Sequence, residues 1–139
     1  MAKYGYFRNR DIYFHNGVLQ SKYKFLNSIS SIIIYYDGWC KKNIYYYRMI
    51  RKFKQGDSLY IINVNDLGTK YTEVIKQLEL LYKLNMKLYV GYQEINLKGF
   101  FNEIKIEKEF NSRHLNGQLR ERDILENVFY KYSIPLREL

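Results

Sequence analysis

The hydrophobic and polar positions alternate in blocks along the chain, and the blocks predict strands separated by helices. Apolar residues at helical spacing predict helices over 16–27, over 44–53 and over 74–82, the last ended by Asn85. Strands alternating with helices in this rhythm predict right-handed βαβ crossovers and a mostly parallel sheet of four or five strands flanked by helices, an α/β fold in three layers. The predicted strands are short segments rich in aromatic and β-branched residues at 3–7, 31–36, 58–64 and 86–90.

Two of these segments carry a more specific pattern. Segment 31–36 reads SIIIYY and is nearly continuous in apolar character, as expected of a strand that is covered on both faces. Segment 44–53 is amphipathic, and Gly56 beyond it suits a helix C-cap. Its apolar side carries Tyr46, Met49, Ile50 and Phe53, and its basic side carries Arg48, Arg51 and Lys52.

The last third of the chain follows a different pattern. Ile104 and Ile106 alternate with charged residues, which favours a half-exposed strand in the second half of 97–110. We therefore divide the chain into a core over 1–97 and a C-terminal strand and helix extension of the same domain over 98–139. An apolar stripe on the predicted terminal helix either packs on its own domain or contacts a dimer mate or another partner. The stripe comprises Ile124, Leu125, Val128, Phe129 and Tyr132.

The composition narrows the possible partners. The 139 residues fit one domain and carry a formal charge of +9, which favours an anionic partner such as nucleic acid. A/T-rich coding would also raise the lysine and tyrosine content, so the composition has two explanations. No apolar run is long enough to span a bilayer and the start lacks a signal-peptide core, so we expect a cytoplasmic protein without membrane contact. With Cys40, His15 and His114 far apart, no disulfide, metal or cofactor is expected.

Several segments in order resemble the catalytic domain of the serine recombinases, the resolvase and invertase family. The sequence YGYFR at 4–8 resembles that family's first strand, and IIIYYDG at 32–38 resembles its second strand with an acidic end. The run at 51–90 follows the family's helix, Gly-Asp turn, third strand, loop, long helix and fourth strand. LRERDILENV at 119–128 is similar to a Glu- and Arg-rich helix near the end of that domain. The resemblance covers roughly 3–95 and implies a resolvase-like fold and an ancestry in DNA recombination, as in mobile elements or phages.

The family's catalytic groups are mostly replaced in this chain. The family has a serine nucleophile in a Tyr-x-Arg-x-Ser pattern, and the corresponding stretch 6–10 reads YFRNR, which places Arg10 at the nucleophile position. The family's Asp-Arg-Leu-Gly-Arg turn is NDLGT at 65–69, so both of its arginines are absent. Phosphoryl transfer needs several guanidinium donors, so the resemblance implies a protein without catalytic residues. The positions of the degenerate site are Arg8, Arg10, Asp37, Asn43, Asn65, Asp66 and Thr69, of which only Arg8 and Asp37 keep the family's chemistry.

Three functions follow as hypotheses. The first is an inactive recombinase-like protein that binds DNA through backbone contacts and acts as a recombination or regulatory accessory factor. The second is a protein-interaction module, a homodimer or a partner of another recombinase-like protein, which uses the terminal stripe and an Ile104/Ile106 strand edge. The third is a Mg²⁺-dependent nuclease with Asp37, Asp57 and Asp66. The candidate DNA contacts, which could equally form a solvated face, are Arg8, Arg10, Lys41, Lys42, Arg48, Arg51, Lys52, Lys54 and Lys70.

The family reads DNA sequence with a separate helix-turn-helix domain after the catalytic one. The present chain has a single predicted helix near its end, and segment 97–117 departs from the family's pattern, which has a long dimer-forming helix beginning there. Sequence-specific binding by this chain alone is therefore not expected.

Overall fold

A computed structural model describes residues 1–8, 16–38 and 43–132, without the side chains of 16–18. The described elements are β1 (Lys3–Arg8), α1 (Asn16–Asn27), β2 (Ile32–Asp37), α2 (Ile44–Ile50), β3 (Ser58–Ile61), a 3₁₀ turn (Val64–Leu67), α3 (Tyr71–Lys83), β4 (Lys87–Val90), β5 (Gln93–Ile95), α4 (Leu97–His114) and α5 (Glu121–Tyr130).

The strands form one five-stranded sheet in the order β2-β1-β3-β4-β5. The pairings of β1 with β2, β1 with β3 and β3 with β4 are parallel, and β5 returns antiparallel to β4. The α/β class and the mostly parallel sheet are therefore confirmed. Strand β5 was not predicted, because three residues are too short to show an alternating pattern.

Helices cover the two faces of the sheet unequally. Side chains such as Tyr6 and Leu59 join residues from α2, α3, α4 and α5 in the main apolar core. The opposite face carries a smaller cluster, in which Phe7 and Ile62 pack with Leu26 of α1. At Gly5, an added Cβ would lie 2.8 Å from an Ile32 side-chain carbon, so a larger residue would disturb the packing of β2 beside α1.

Segment 97–114 is a helix, so the predicted strand in its second half is wrong. In a strand, Ile104 and Ile106 would share a face, but Ile104 is buried and Ile106 is 55% exposed. Phe100 and Ile104, four residues apart, face the core together, and the Asn96 side chain caps the helix by accepting a hydrogen bond from Gly99 N at 3.1 Å. The proposed Ile104/Ile106 strand edge is wrong for the same reason, and segment 97–117 contains a long helix that the sequence analysis did not predict.

Two smaller expectations also fail. Strand β2 lies at one edge of the sheet and Ile33 on it is 50% exposed, so this strand is not covered on all sides. Helix α2 ends at Ile50 with Arg51 as its C-cap, whereas Gly56 lies in the later turn before β3 with φ of +86°. Glycine suits that turn because positive φ is unfavourable for residues with a Cβ.

Candidate nucleic-acid interface

The carboxyl ends of β1 and β2 bring Arg8 and Asp37 side by side. The two residues are register partners, and their side chains are only 3% and 2% exposed. Asp37 accepts hydrogen bonds from the Tyr6 hydroxyl at 2.7 Å and from the backbone N–H groups of Tyr45 and Tyr46 at 3.0 Å each. A carboxylate that satisfies the first amides of a helix is a stabilising cap. Asp37 therefore fastens the start of α2 to the sheet.

Tyr6 is held as a neutral hydrogen-bond donor. Burial raises its pKa far above the ordinary value of 10.0, and the hydrogen bond to Asp37 raises the pKa further. A phenol that stays protonated serves Asp37 as a donor and is a poor nucleophile.

Glu73 joins this group of residues, although the sequence analysis did not single it out. One carboxylate oxygen accepts from the Asn43 side-chain amide at 3.1 Å, and the other accepts from the N–H and hydroxyl of Thr69 at 3.0 and 2.8 Å. Burial by itself would raise the pKa of Glu73, but the Thr69 hydrogen bonds and the charges of Arg8 and Lys70 lower it below the ordinary value. Thr69 lies four residues before Glu73, one more than in the capping-box motif, so the sequence carried no clear signal for this role.

The turn at 65–69 closes over the same region. Asp66 is buried and lies 3.9 Å from the Lys22 ammonium, and the Asn65 N–H donates to the Asn63 side chain at 2.9 Å. Gly68 is required here, since an added Cβ would lie 2.9 Å from the Glu73 side chain and 3.0 Å from the backbone nitrogen of Val74. The turn thus depends on close packing against the start of α3.

We call Tyr6, Arg8, Asp37, Asn43, Asp66 and Glu73 the strand-end cluster. Its three carboxylates are matched in number by Arg8 and the nearby Lys22 and Lys70. Asp37 and Glu73 are already engaged by hydrogen bonds from the protein itself. The cluster therefore holds the strand ends and the starts of α2 and α3 together.

The three aspartates of the magnesium hypothesis do not converge. Asp57 lies before β3, at the opposite end of the sheet, where it accepts from the backbone N–H groups of Ala2 and Lys54 at 3.0 Å each. Within 1–8, 16–38 and 43–132, no group of three or more His, Cys, Asp or Glu side chains could hold a metal ion. The nuclease hypothesis thus lacks a ligand set in the described part of the chain.

The outward side of α2 and the turn after it present cations to solvent. Arg48, Arg51, Lys52 and Lys54 are exposed, and none of them forms an ion pair with a carboxylate of the described residues. The Arg48 guanidinium lies 5.3 Å from the centre of the Tyr45 ring, and the Lys52 ammonium donates to the Tyr35 hydroxyl at 2.9 Å. We call Ile44, Tyr45, Tyr47, Arg48, Arg51, Lys52 and Lys54 the α2 surface.

The structure brings together only part of the predicted DNA-contacting set. Arg8 is buried in the strand-end cluster, and Lys70 is exposed at the N-cap of α3. Arg10, Lys41 and Lys42 lie outside the described residues. The exposed apolar members Ile44, Tyr45 and Tyr47 were missed, because a helical pattern alone does not tell which tyrosines stay in solvent.

The stripe on the terminal helix packs on its own domain. Ile124, Leu125, Val128 and Phe129 are buried, and the Phe129 ring stacks on Phe100 with 5.7 Å between ring centres. Tyr132 donates from its hydroxyl to Glu103 at 2.8 Å. These side chains are used inside the domain and leave little of the stripe for a partner.

Comparison with protein-family models and with curated proteins found no match for this chain. The resemblance to serine recombinases therefore remains a prediction from the motifs. None of the helices in the described residues is both long and apolar enough to cross a membrane.

Proposed function

We propose that this protein is a catalytically inactive, serine-recombinase-like protein that binds DNA through the phosphate backbone. The observation that carries the proposal is the contrast in charge pairing. The carboxylates at the strand ends make internal contacts, whereas the cations of the α2 surface have no acidic partner among the described residues.

The strand-end cluster supports the proposed absence of catalysis. The carboxylate oxygens of Asp37 and Glu73 accept hydrogen bonds from amides and hydroxyls of the protein itself. Arg8 is buried beside these carboxylates, at the end of β1. A phosphate at this place would have to displace those hydrogen bonds, and leaving buried polar groups unpaired costs about 1–3 kcal/mol each.

The proposed binding follows from the α2 surface. Arginine side chains can contact phosphate oxygens with two donors, and lysine contributes a mobile point charge. The hydrogen bond that Lys52 donates to the Tyr35 hydroxyl raises the pKa of Lys52, so this side chain stays charged across the physiological range. Contacts of this kind give affinity without sequence reading, which suits an accessory role in recombination or regulation.

Fluorescence anisotropy of a labelled duplex, titrated at several salt concentrations, tests the proposal. The logarithm of the affinity should fall linearly with the logarithm of salt concentration. Replacing Arg48, Arg51 and Lys52 by glutamate should weaken binding at low salt more than about tenfold and reduce the salt slope by about 3, because each phosphate contact contributes about 0.9.

A matched variant separates a local surface from the overall charge. Replacing Lys83, Lys98 and Lys105 by glutamate changes the net charge equally, at exposed positions of α3 and α4 that form no ion pair in the described structure. This variant should keep the wild-type slope. Equal losses in both variants, or no duplex binding at low salt, would contradict the proposal, as would a covalent adduct between the protein and DNA.

One observation favours a protein-interaction function as a second candidate. The β2 edge has no charged residue before Asp37 and exposes half of Ile33, and an unprotected edge strand is a template for pairing with another strand. Light scattering at increasing concentration tests self-association. A mass increase that Ile33→Lys abolishes and Ile106→Lys leaves intact would support this function, whereas a strict monomer would argue against it.

A further inference from the structure

We infer that the α2 surface binds single-stranded nucleic acid more tightly than duplex, by stacking unpaired bases on Tyr45 and Tyr47. This inference rests on the proposed function, and it adds the class of nucleic acid that the same surface takes.

The first support is the order of side chains around α2. Successive residues of a helix are rotated by about 100°, and Arg51 continues the helical backbone with φ of −64° and ψ of −21°. On this geometry Arg48 and Arg51 lie next to each other on the outward side, with Tyr47 on one flank and Tyr45 on the other. Tyr46 and Met49 point the opposite way into the core.

The second support is the partial burial of both tyrosines. Tyr45 is 49% exposed and Tyr47 is 43% exposed, so each ring is supported by the protein and still offers area to solvent. Tyr45 is covered in part by the Arg48 guanidinium, and Tyr47 contacts the Tyr46 ring edge-on with 5.8 Å between centres. Rings held in this way lose little conformational entropy when a flat ligand stacks on them.

The third support is the mismatch between exposed rings and a duplex. In a duplex the bases are stacked on each other. Cations on a backbone-binding surface therefore add affinity for a duplex, whereas aromatic faces add none. A single strand offers unstacked bases as well as phosphates, and stacking on aromatic side chains is tolerant of sequence. The central arginines would hold the phosphates while the flanking tyrosines hold bases.

The surface also has more exposed apolar area than a purely cationic patch needs. Ile44 beside the two tyrosines is exposed, and Ile33 on the neighbouring strand β2 is exposed as well. Clustered exposed apolar residues mark binding sites more often than scattered ones do. Unpaired bases are the part of a nucleic acid that can cover such area.

Anisotropy titrations with three labelled probes test the inference: an oligo-dT strand, an oligo-U strand and a mixed-sequence duplex. Each probe should be about 12 nucleotides or base pairs long, within the usual site sizes of 4–16 nucleotides. We expect tighter binding of at least one single strand than of duplex, and the preferred strand identifies DNA or RNA as the ligand. In Tyr45→Leu/Tyr47→Leu, single-strand affinity should fall at least about tenfold while duplex affinity stays within about twofold.

Two further variants make the outcome decisive. Tyr45→Phe/Tyr47→Phe keeps both aromatic faces and should retain the single-strand preference. Tyr82→Leu/Tyr130→Leu removes two exposed tyrosines from α3 and α5 and should change nothing. Equal affinity for duplex and single strand, or a preference that survives in Tyr45→Leu/Tyr47→Leu, would overturn the inference and leave duplex binding standing. If the protein binds none of the three probes at low salt, the proposed function is overturned together with the inference.

Discussion

The strand-end cluster and the α2 surface meet at the first turn of one short helix, yet their charged groups differ in whether they have partners within the protein. In the cluster, the Asp37 carboxylate receives three hydrogen bonds and Glu73 receives three more. On the α2 surface, the arginines contact tyrosine rings or solvent and meet no described carboxylate.

This difference indicates that the cluster contributes to the stability of the fold, whereas the α2 surface is available for binding. Buried polar groups are costly unless they are paired, so the stability of the cluster depends on the hydrogen bonds that Asp37 and Glu73 accept. Exposed cations cost the fold little and remain free to gain energy from a ligand. Substitutions in the strand-end cluster should therefore lower the stability of the protein, whereas substitutions on the α2 surface should lower its affinity for nucleic acid.

The largest expected effect is on stability in Asp37→Ala. This change leaves the Tyr6 hydroxyl and the amides of Tyr45 and Tyr46 without their acceptor. Each buried unpaired group costs about 1–3 kcal/mol, so the free energy of unfolding should fall by about 3 kcal/mol or more in urea denaturation. Glu79→Ala, on the exposed side of α3, serves as the control. A loss below about 1 kcal/mol would mean that Asp37 is free for another role.

The sequence predicted the layout of these regions better than their contacts. The α1 bounds of 16–27 and the basic side of α2 are visible in local periodicity, and the structure confirms both. The error at α4 arose from the few residues around Ile104 and Ile106, where a period of two is indistinguishable from part of a helix. The longer spacing of Leu97, Phe100 and Ile104 carries the helical signal.

Other features depend on long-range pairing and cannot be seen in local pattern. Strand β2 is at an edge because β1 inserts between it and β3, and nothing within IIIYYD indicates that order. The role of Glu73 likewise depends on Asn43, which lies 30 residues earlier in the chain.

A smaller effect is expected in the pH dependence of stability. Folding lowers the pKa of Glu73 below its ordinary value of 4.5, so its contribution is present above pH 4.5 and is lost as the pH falls through the lower folded pKa. Glu73→Gln should therefore flatten the acid side of the stability profile, measured by thermal unfolding below pH 4.5. Glu126→Gln, exposed on α5, should leave the profile unchanged. An unchanged slope in Glu73→Gln would mean that its hydrogen bonds with Thr69 form without the charge.

The smallest expected effect is on stability in the α2 surface. Replacing Arg48, Arg51 and Lys52 by glutamate, or Tyr45 and Tyr47 by leucine, should change the free energy of unfolding by no more than about 0.5 kcal/mol, because exposed substitutions rarely exceed that value. The Tyr45 N–H that Asp37 accepts belongs to the backbone and is retained in every variant. Urea denaturation of both variants beside Asp37→Ala makes the measurement. A loss above about 1.5 kcal/mol in either would make the α2 surface part of the cluster's framework, and a loss of affinity there could no longer be attributed to missing nucleic-acid contacts.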